Sequence, residues 1–225
     1  MLVFLLWYPM PFREISGGRE LFFIVVAVDV IVGPLITFAV FNRRKPRSEL
    51  RRDVAIVALL QLAALGYGLH TVYIARPVAV VLEVDRLRVV TQADLEGQDL
   101  GQALPEWQSM PWHGVRVAAA RRARGDETVD VVQQALAGRD IGQRPDFWRP
   151  SAEAPAAIEQ AAKPLAELQK RHPESAARID EAVRASGVPA DRLKFLPLLA
   201  RATDWSALIE ATTGRIVGHV HVDGF

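Results

Sequence analysis

Asp29 is the residue of this chain best placed for unusual chemistry. It stands in the middle of Leu21–Phe41, 21 residues that contain no Lys, Arg or Glu. A carboxyl among apolar side chains in lipid must be protonated or partnered, since insertion scales put its cost at roughly 2.5–3.5 kcal/mol. Counting to the same depth along a second apolar run, Val54–Ala75, reaches Gly66 and Tyr67, with His70 one turn further out. Tyr67 or His70 is therefore the expected hydrogen-bond partner, and Gln61 a deeper alternative. Gly33-Pro34 follows one turn after Asp29, where proline removes a helical donor and kinks the helix. The group reads as a tether between two helices, as a polar docking point for a foreign helix, or as a proton or ion relay. A relay needs several ionisable groups in series, and one is clearly present.

The other candidates carry less. His219 and His221 alternate on one strand face, but a catalytic zinc takes three protein ligands and no third is near in sequence, so they read as surface histidines. Ser206, two residues after Asp204, lacks nucleophile-elbow glycines. Gly17-Gly18 is too short to cradle a phosphate, and no Walker pattern occurs. Asp126, Glu127 and Asp130 read as a solvated helix start. The chain has no cysteine, which removes disulfides, thiolate metal sites and cysteine nucleophiles. The expectation is a protein that is not an enzyme, with no catalytic residue, metal site or cofactor.

The elements that hold these residues are membrane elements. A helix of 21 residues at about 1.5 Å per residue crosses a hydrocarbon core of roughly 30 Å. The whole-chain charge of +1 hides two regions: 8 Lys/Arg and 5 Asp/Glu before Arg76, 19 and 21 from Arg76 onward. The linker 42–53 carries Arg43, Arg44, Lys45, Arg47, Arg51 and Arg52 against Glu49 and Asp53, and short Lys/Arg-rich loops stay cytoplasmic. Topology determination is the plain role of those six cations; docking to anionic lipid or protein is the other. Residues 9–20 and everything from 76 then lie outside the cytoplasm.

Residues 1–8 end in Trp7-Tyr8-Pro9 and read as the last turns of a spanning helix reaching its aromatic belt. The expected organisation is a partial or interfacial segment 1–8, a periplasmic loop 9–20, spans 21–41 and 54–75 joined by a cytoplasmic loop 42–53, and a periplasmic domain 76–225. Ala63, Ala64, Gly66 and Gly68 favour close helix approach in lipid.

The domain reads as α+β. Alternation over Pro77–Val90 predicts a hairpin, Thr128–Ala137 a short helix, and Ser151–His172 a helix capped by Ser151 and kinked or broken at Pro164. Ile158, Ala162, Leu165 and Leu168 share its inner face. Pro173–Ser186 predicts another helix with Gly187 past its end, and Gln92–Gly125 an ordered loop. Leu196–Leu199 is expected as an edge strand because of Pro197, and Trp205–Val222 as a hairpin turning at Thr212-Thr213-Gly214. One antiparallel sheet covered by the central helices is the simplest assembly.

Several strings carry a family resemblance. Trp7-Tyr8-Pro9, Glu14–Phe22, Val28–Leu35, Phe41-Asn42, Glu49–Asp53, Ala58–Gly68, Tyr73–Pro77, Glu83–Arg86 and Pro111-Trp112 together resemble the TfpX/TfpZ type IV pilin accessory proteins. The resemblance is dense over residues 7–90 and looser beyond. It implies a bacterial inner-membrane, multi-pass accessory protein, described as a pilin-specific chaperone or assembly modulator, with no catalytic residues to carry over. The implied partner is a type IV pilin subunit, met through both its transmembrane helix and its globular head; no nucleic-acid partner is implied. Asp29, Gly33, Pro34 and Tyr67 would form or shape the helix contact. The competing class is a membrane-anchored periplasmic sensor signalling through the basic loop, which would need a separate cytoplasmic partner.

Overall fold

The structure, a computed structural model, describes residues 2–40, 46–201 and 204–225. Two short helices, α1 (Leu2–Leu6) and α2 (Phe12–Ile15), precede two long ones, α3 (Gly18–Val40) and α4 (Arg47–Ile74). The domain then runs β1 (Pro77–Leu82), β2 (Leu87–Thr91), α5 (Gln92–Leu95), β3 (Arg116–Ala119), α6 (Glu127–Leu136), α7 (Ala154–Ala161), β4 (Lys163–Pro164), α8 (Leu165–Arg171), α9 (Ala176–Ser186), β5 (Leu193–Leu199), β6 (Trp205–Glu210) and β7 (Ile216–Val220).

Among the described residues, one helix, Ser48–Ile74, is long and apolar enough to cross a membrane, with a mean hydropathy of 1.6. α3 packs against α4 and continues as a helix through Pro34. Both helices expose apolar side chains all round, Phe23, Ile31, Leu35 and Phe38 on α3 and Leu59, Leu60 and Leu62 on α4. Helices of that kind are at home in lipid or in a large core, and here the core is elsewhere.

The sheet runs β3-β1-β2-β5-β6-β7, with β4 pairing β5 from the side. It is mixed rather than antiparallel: β3 lies parallel to β1, and β2 parallel to β5. β3 sits inside the stretch expected as a loop; its four residues are too few to show a period. β5 is an interior strand, not an edge, despite Pro197. On its β2 side, β4 takes Lys194 and Phe195 while β2 takes Leu198 and Leu199, so the proline falls in the gap between two partners. A missing N–H is tolerated where no ladder bond is required.

Helices cover both faces. β1 is buried along its whole length, as expected of a strand enclosed on both sides rather than one face. Val80 and Leu82 join a core with Ile158 and Ala162, while Val78, Ala79 and Val81 face a second one built on Trp107 and Trp148. A third core sets Leu165, Leu168 and Ile179 against Phe195 and Leu208. The chain breaks at Pro164 into α7 and α8, yet keeps Ile158, Ala162, Leu165 and Leu168 inward. Ser151 does not cap: the turn before α7 follows Pro150 without a side-chain cap, and the Ser151 amide donates to Glu106 Oε1 at 3.1 Å. Gly187 ends α9 at φ +69°, a left-handed turn that glycine makes without strain.

The segment before α3 belongs to this domain. Phe12 and Ile15 are buried in the first core with Leu82, Leu87, Leu196 and Ile209. His219, expected at the surface, lies beneath them: its ring meets Phe12 edge-on at 6.0 Å and its Nε2 is buried without a hydrogen bond. The α2 turn, remote in sequence, is what covers it. Burial lowers the imidazole from an ordinary 6.5 to about 4.

Two outcomes follow from this packing. Ile158→Ala leaves a cavity between α7 and the sheet and is expected to cost about 2–5 kcal/mol, read as a lower denaturation midpoint. Because His219 titrates near 4 when folded and near 6.5 when unfolded, the unfolded chain binds the extra proton between those values. Stability is then full above about pH 6.5 and is lost on acidification towards 4, by up to about 3 kcal/mol. Melting temperatures measured between pH 7 and 5 should fall less steeply for His219→Gln; an unchanged slope refutes this assignment.

Candidate functional site

Gln61, Gly33 and Gly68 mark where the long helices touch. A methyl group on Gly33 would stand 2.7 Å from Gln61 Nε2, and one on Gly68 would stand 2.7 Å from Val25 Cγ1. These two pairs fix an antiparallel register that sets the Asp29 backbone level with Ala64 and Leu65, a half turn from the expected Gly66-Tyr67. The Asp29 side chain falls outside the described set. Tyr67 is 75% exposed, and His70 and Pro34 are also exposed, so these side chains face away from the helix pair. Of the expected partners, Gln61 is the one whose side chain lies against α3, at Gly33. Of the basic loop, Arg43, Arg44 and Lys45 lie outside the described residues. Arg47 opens α4, its side chain outside the described set, and Arg51 and Arg52 are exposed one turn further on.

A seam joins the helix pair to the domain. The Tyr8 hydroxyl donates to Val72 O at 3.0 Å, and its ring lies so close to Gly18 that a Cβ there would be 2.2 Å away. Trp7 meets Tyr73 edge-on at 5.2 Å, and the Gly114 amide donates to Leu6 O at 3.2 Å. Arg76, 2% exposed, closes the seam. Its guanidinium donates to Tyr73 O (2.9 Å), Gln92 Oε1 (3.1 Å) and Pro111 O (3.2 Å), and lies 3.8 Å from the Tyr73 ring centre. Five donors on one planar head suit a residue that must hold three chain segments together.

At the opposite end of β1 and β3 lies a cleft of about 400 Å³. Arg121, Arg122, Arg124 and Arg149 line it, with α7 along one side through Ala157 and Gln160. Arg121 is committed: it makes a paired contact with Glu127 at 2.7 and 2.8 Å and lies 4.4 Å from the Phe147 ring centre. Arg121 and the Arg124 amide hold the Glu127 carboxyl down at about 2. Glu83, the acidic residue of the lining, is taken by Arg86 and Arg88. Among the described residues, Arg122, Arg124 and Arg149 have no salt bridge. Sequence reasoning passed over this group; the signal was Arg121-Arg122-Ala123-Arg124, three arginines in four residues of a slightly acidic domain.

The remaining candidates are structural. Ser206 is fully buried and its Oγ donates to Val222 O at 2.9 Å. His221 stacks on Trp205 and pairs with Asp204. Asp130, expected to be solvated, is exposed and also pairs with Arg144 at 2.5 Å. Among the described residues no three His, Cys, Asp or Glu are grouped to hold a metal ion.

Comparison with known proteins gives the context for these surfaces. Residues 1–17 match the family model of fimbrial assembly protein FimB. The serogroup I fimbrial assembly protein of Dichelobacter nodosus is 35% identical over 227 residues, covering 100% of this chain and 88% of the relative. The serogroup E1 protein of the same organism is 34% identical over the same extent. That of serogroups C1 and C2 is 41% identical over 102 residues, 45% of this chain and 78% of the relative. No solved structure matches the chain. Identity at this level along the whole length, from the α1 seam to the β7 hairpin, establishes that the chain belongs to the fimbrial assembly protein family.

Proposed function

We propose that this protein is a non-enzymatic accessory factor of type IV pilus assembly, of the TfpX/TfpZ kind, that sits in the bacterial inner membrane and acts on pilin subunits. The observation that carries the reading is the end-to-end identity with fimbrial assembly proteins. The fold supports it. Phe12 and Ile15 are part of the domain core, so the segment before α3 and the domain after α4 share one side of any membrane. An antiparallel α3 and α4 then cross together or not at all, and the apolar surface of both favours crossing. The basic loop between them, read as cytoplasmic, puts the domain in the periplasm.

A pilin held in the same membrane offers an apolar helix and a soluble head. A factor with lipid-facing helices and a periplasmic domain can meet both, and two linked contacts gain from effective concentration, so neither has to be strong. The helix contact is assigned to the α3–α4 pair around Asp29, Gly33, Pro34 and Tyr67, with Gly33 shaping it from inside the pair and Pro34 and Tyr67 exposed to a partner.

The chain has no cysteine, which makes topology directly testable. Thr128→Cys should react with a membrane-impermeant maleimide in cells with a permeabilised outer membrane, and Ser48→Cys only after lysis; the reverse pattern overturns the orientation. Photocrosslinkers at Val26 and Ile36, on the Asp29 side of α3, should capture pilin in membranes. Intramolecular products alone, with pili still dependent on the protein, would remove the membrane contact. In a deletion strain, surface pili should be lost. A shortened pilin half-life indicates protection of the subunit, and an unchanged one places the action at assembly.

A further inference from the structure

The cleft at the far ends of β1 and β3 has no part in the helix contact. We infer that it is a docking site for an acidic segment of the partner's soluble head, bound by Arg122, Arg124 and Arg149. This rests on the reading that a periplasmic pilin head is the partner, and it assigns that head a place.

The first support is charge. Three arginines line one cavity of about 400 Å³ without a salt bridge among the described residues, while the nearby acids Glu83 and Glu127 are already paired with Arg86, Arg88 and Arg121. Like charges this close repel, and a bound anion relieves that repulsion while taking forked hydrogen bonds from the arginines.

The second support is exposed apolar surface on the helix that follows Arg124 in the chain. α6 starts three residues after Arg124 and buries none of its side chains; Val129, Val132 and Leu136, spaced along one side, are exposed. A small anion would use the arginines and leave that stripe idle. A peptide with carboxylates and aliphatic side chains would use both.

The third support is position. β1 leaves the seam at Pro77 and β3 leaves it just beyond Gly114, which bonds to α1. Both run in the same direction, Ala79 beside Arg116 and Leu82 beside Ala119. Their far ends lie about 15–20 Å of strand from the seam, which sets the cleft away from the ends of the long helices. A soluble head standing in the periplasm can reach it there.

The test uses the full chain in nanodiscs of zwitterionic lipid and a fluorescein-labelled octapeptide of alternating Glu and Leu, read by anisotropy. Saturable binding is expected, weakening as salt rises, at least tenfold weaker for the Arg122→Glu/Arg124→Glu variant, and largely kept by Arg122→Lys/Arg124→Lys. Equal affinity for wild type and the Glu variant overturns the inference. So does displacement by millimolar inorganic phosphate, which would mean a small-anion site, or equal binding of a Lys-Leu peptide, which would mean apolar adhesion alone. Unchanged far-ultraviolet dichroism checks that the exposed substitutions leave the fold intact. A parallel arm measures retention of the purified pilin head. If the peptide binds as expected and the head does not, the pilin reading fails while the acidic-segment site stands.

Discussion

The burial of Phe12 and Ile15 among Leu82, Leu87, Leu196 and Ile209 is the constraint on which the rest of the structure depends. Two side chains that precede the long helices complete a core whose other members all follow them. The domain is therefore discontinuous, with α3 and α4 inserted as a loop between its first and second parts. Every contact at the seam serves this arrangement. Tyr8 binds the α4 backbone, Gly18 makes room for the Tyr8 ring, and Arg76 ties the end of α4 to two further segments. Fixing the helices at both ends to one rigid body sets their register without strong contacts between them. Small residues then let the two backbones approach, as at Gly68 beside Val25.

Much of this was legible in the sequence where the cause is local. The apolar helix Ser48–Ile74, the break at Pro164, the left-handed end at Gly187 and the last hairpin each depend on a few adjacent residues. The inward set Ile158, Ala162, Leu165 and Leu168 could be read even though the helix carrying it breaks, because the short bridge at Lys163-Pro164 keeps the phase. What could not be read depends on distant partners. Pro197 looked like an edge signal, and only the division of its neighbours between β4 and β2 makes an interior place tolerable. His219 looked like a surface residue because the α2 turn that covers it lies two hundred positions away. The arginine cleft was invisible as a site, since its four guanidinia converge only when β1, β3 and α7 are assembled. The family resemblance, by contrast, was read mostly from residues 7–90, where the matching strings are densest.

The two ends of the domain have different physical characters. At the seam, charge is buried and engaged: Arg76 is enclosed, its two terminal guanidinium nitrogens are shared between carbonyls and an amide, and its Nε has no hydrogen-bond partner among the described residues. Such a site is inert and rigid, as an anchor should be. At the far end, charge is exposed and in excess, and the apolar side chains of α6 stand in water. An end that is energetically incomplete by itself is one that a second molecule can complete.

α6 shows what that incompleteness means for motion. It has ten residues and buries none of them, and its side-chain ties among the described residues are ionic: Glu127 to Arg121 and Asp130 to Arg144. An isolated helix of that length is marginal in water. Its amides are thus expected at the fast end of hydrogen exchange, opening far below the free energy that unfolds the sheet. Ordering it on contact would cost part of any binding free energy, giving a grip that forms readily and releases readily.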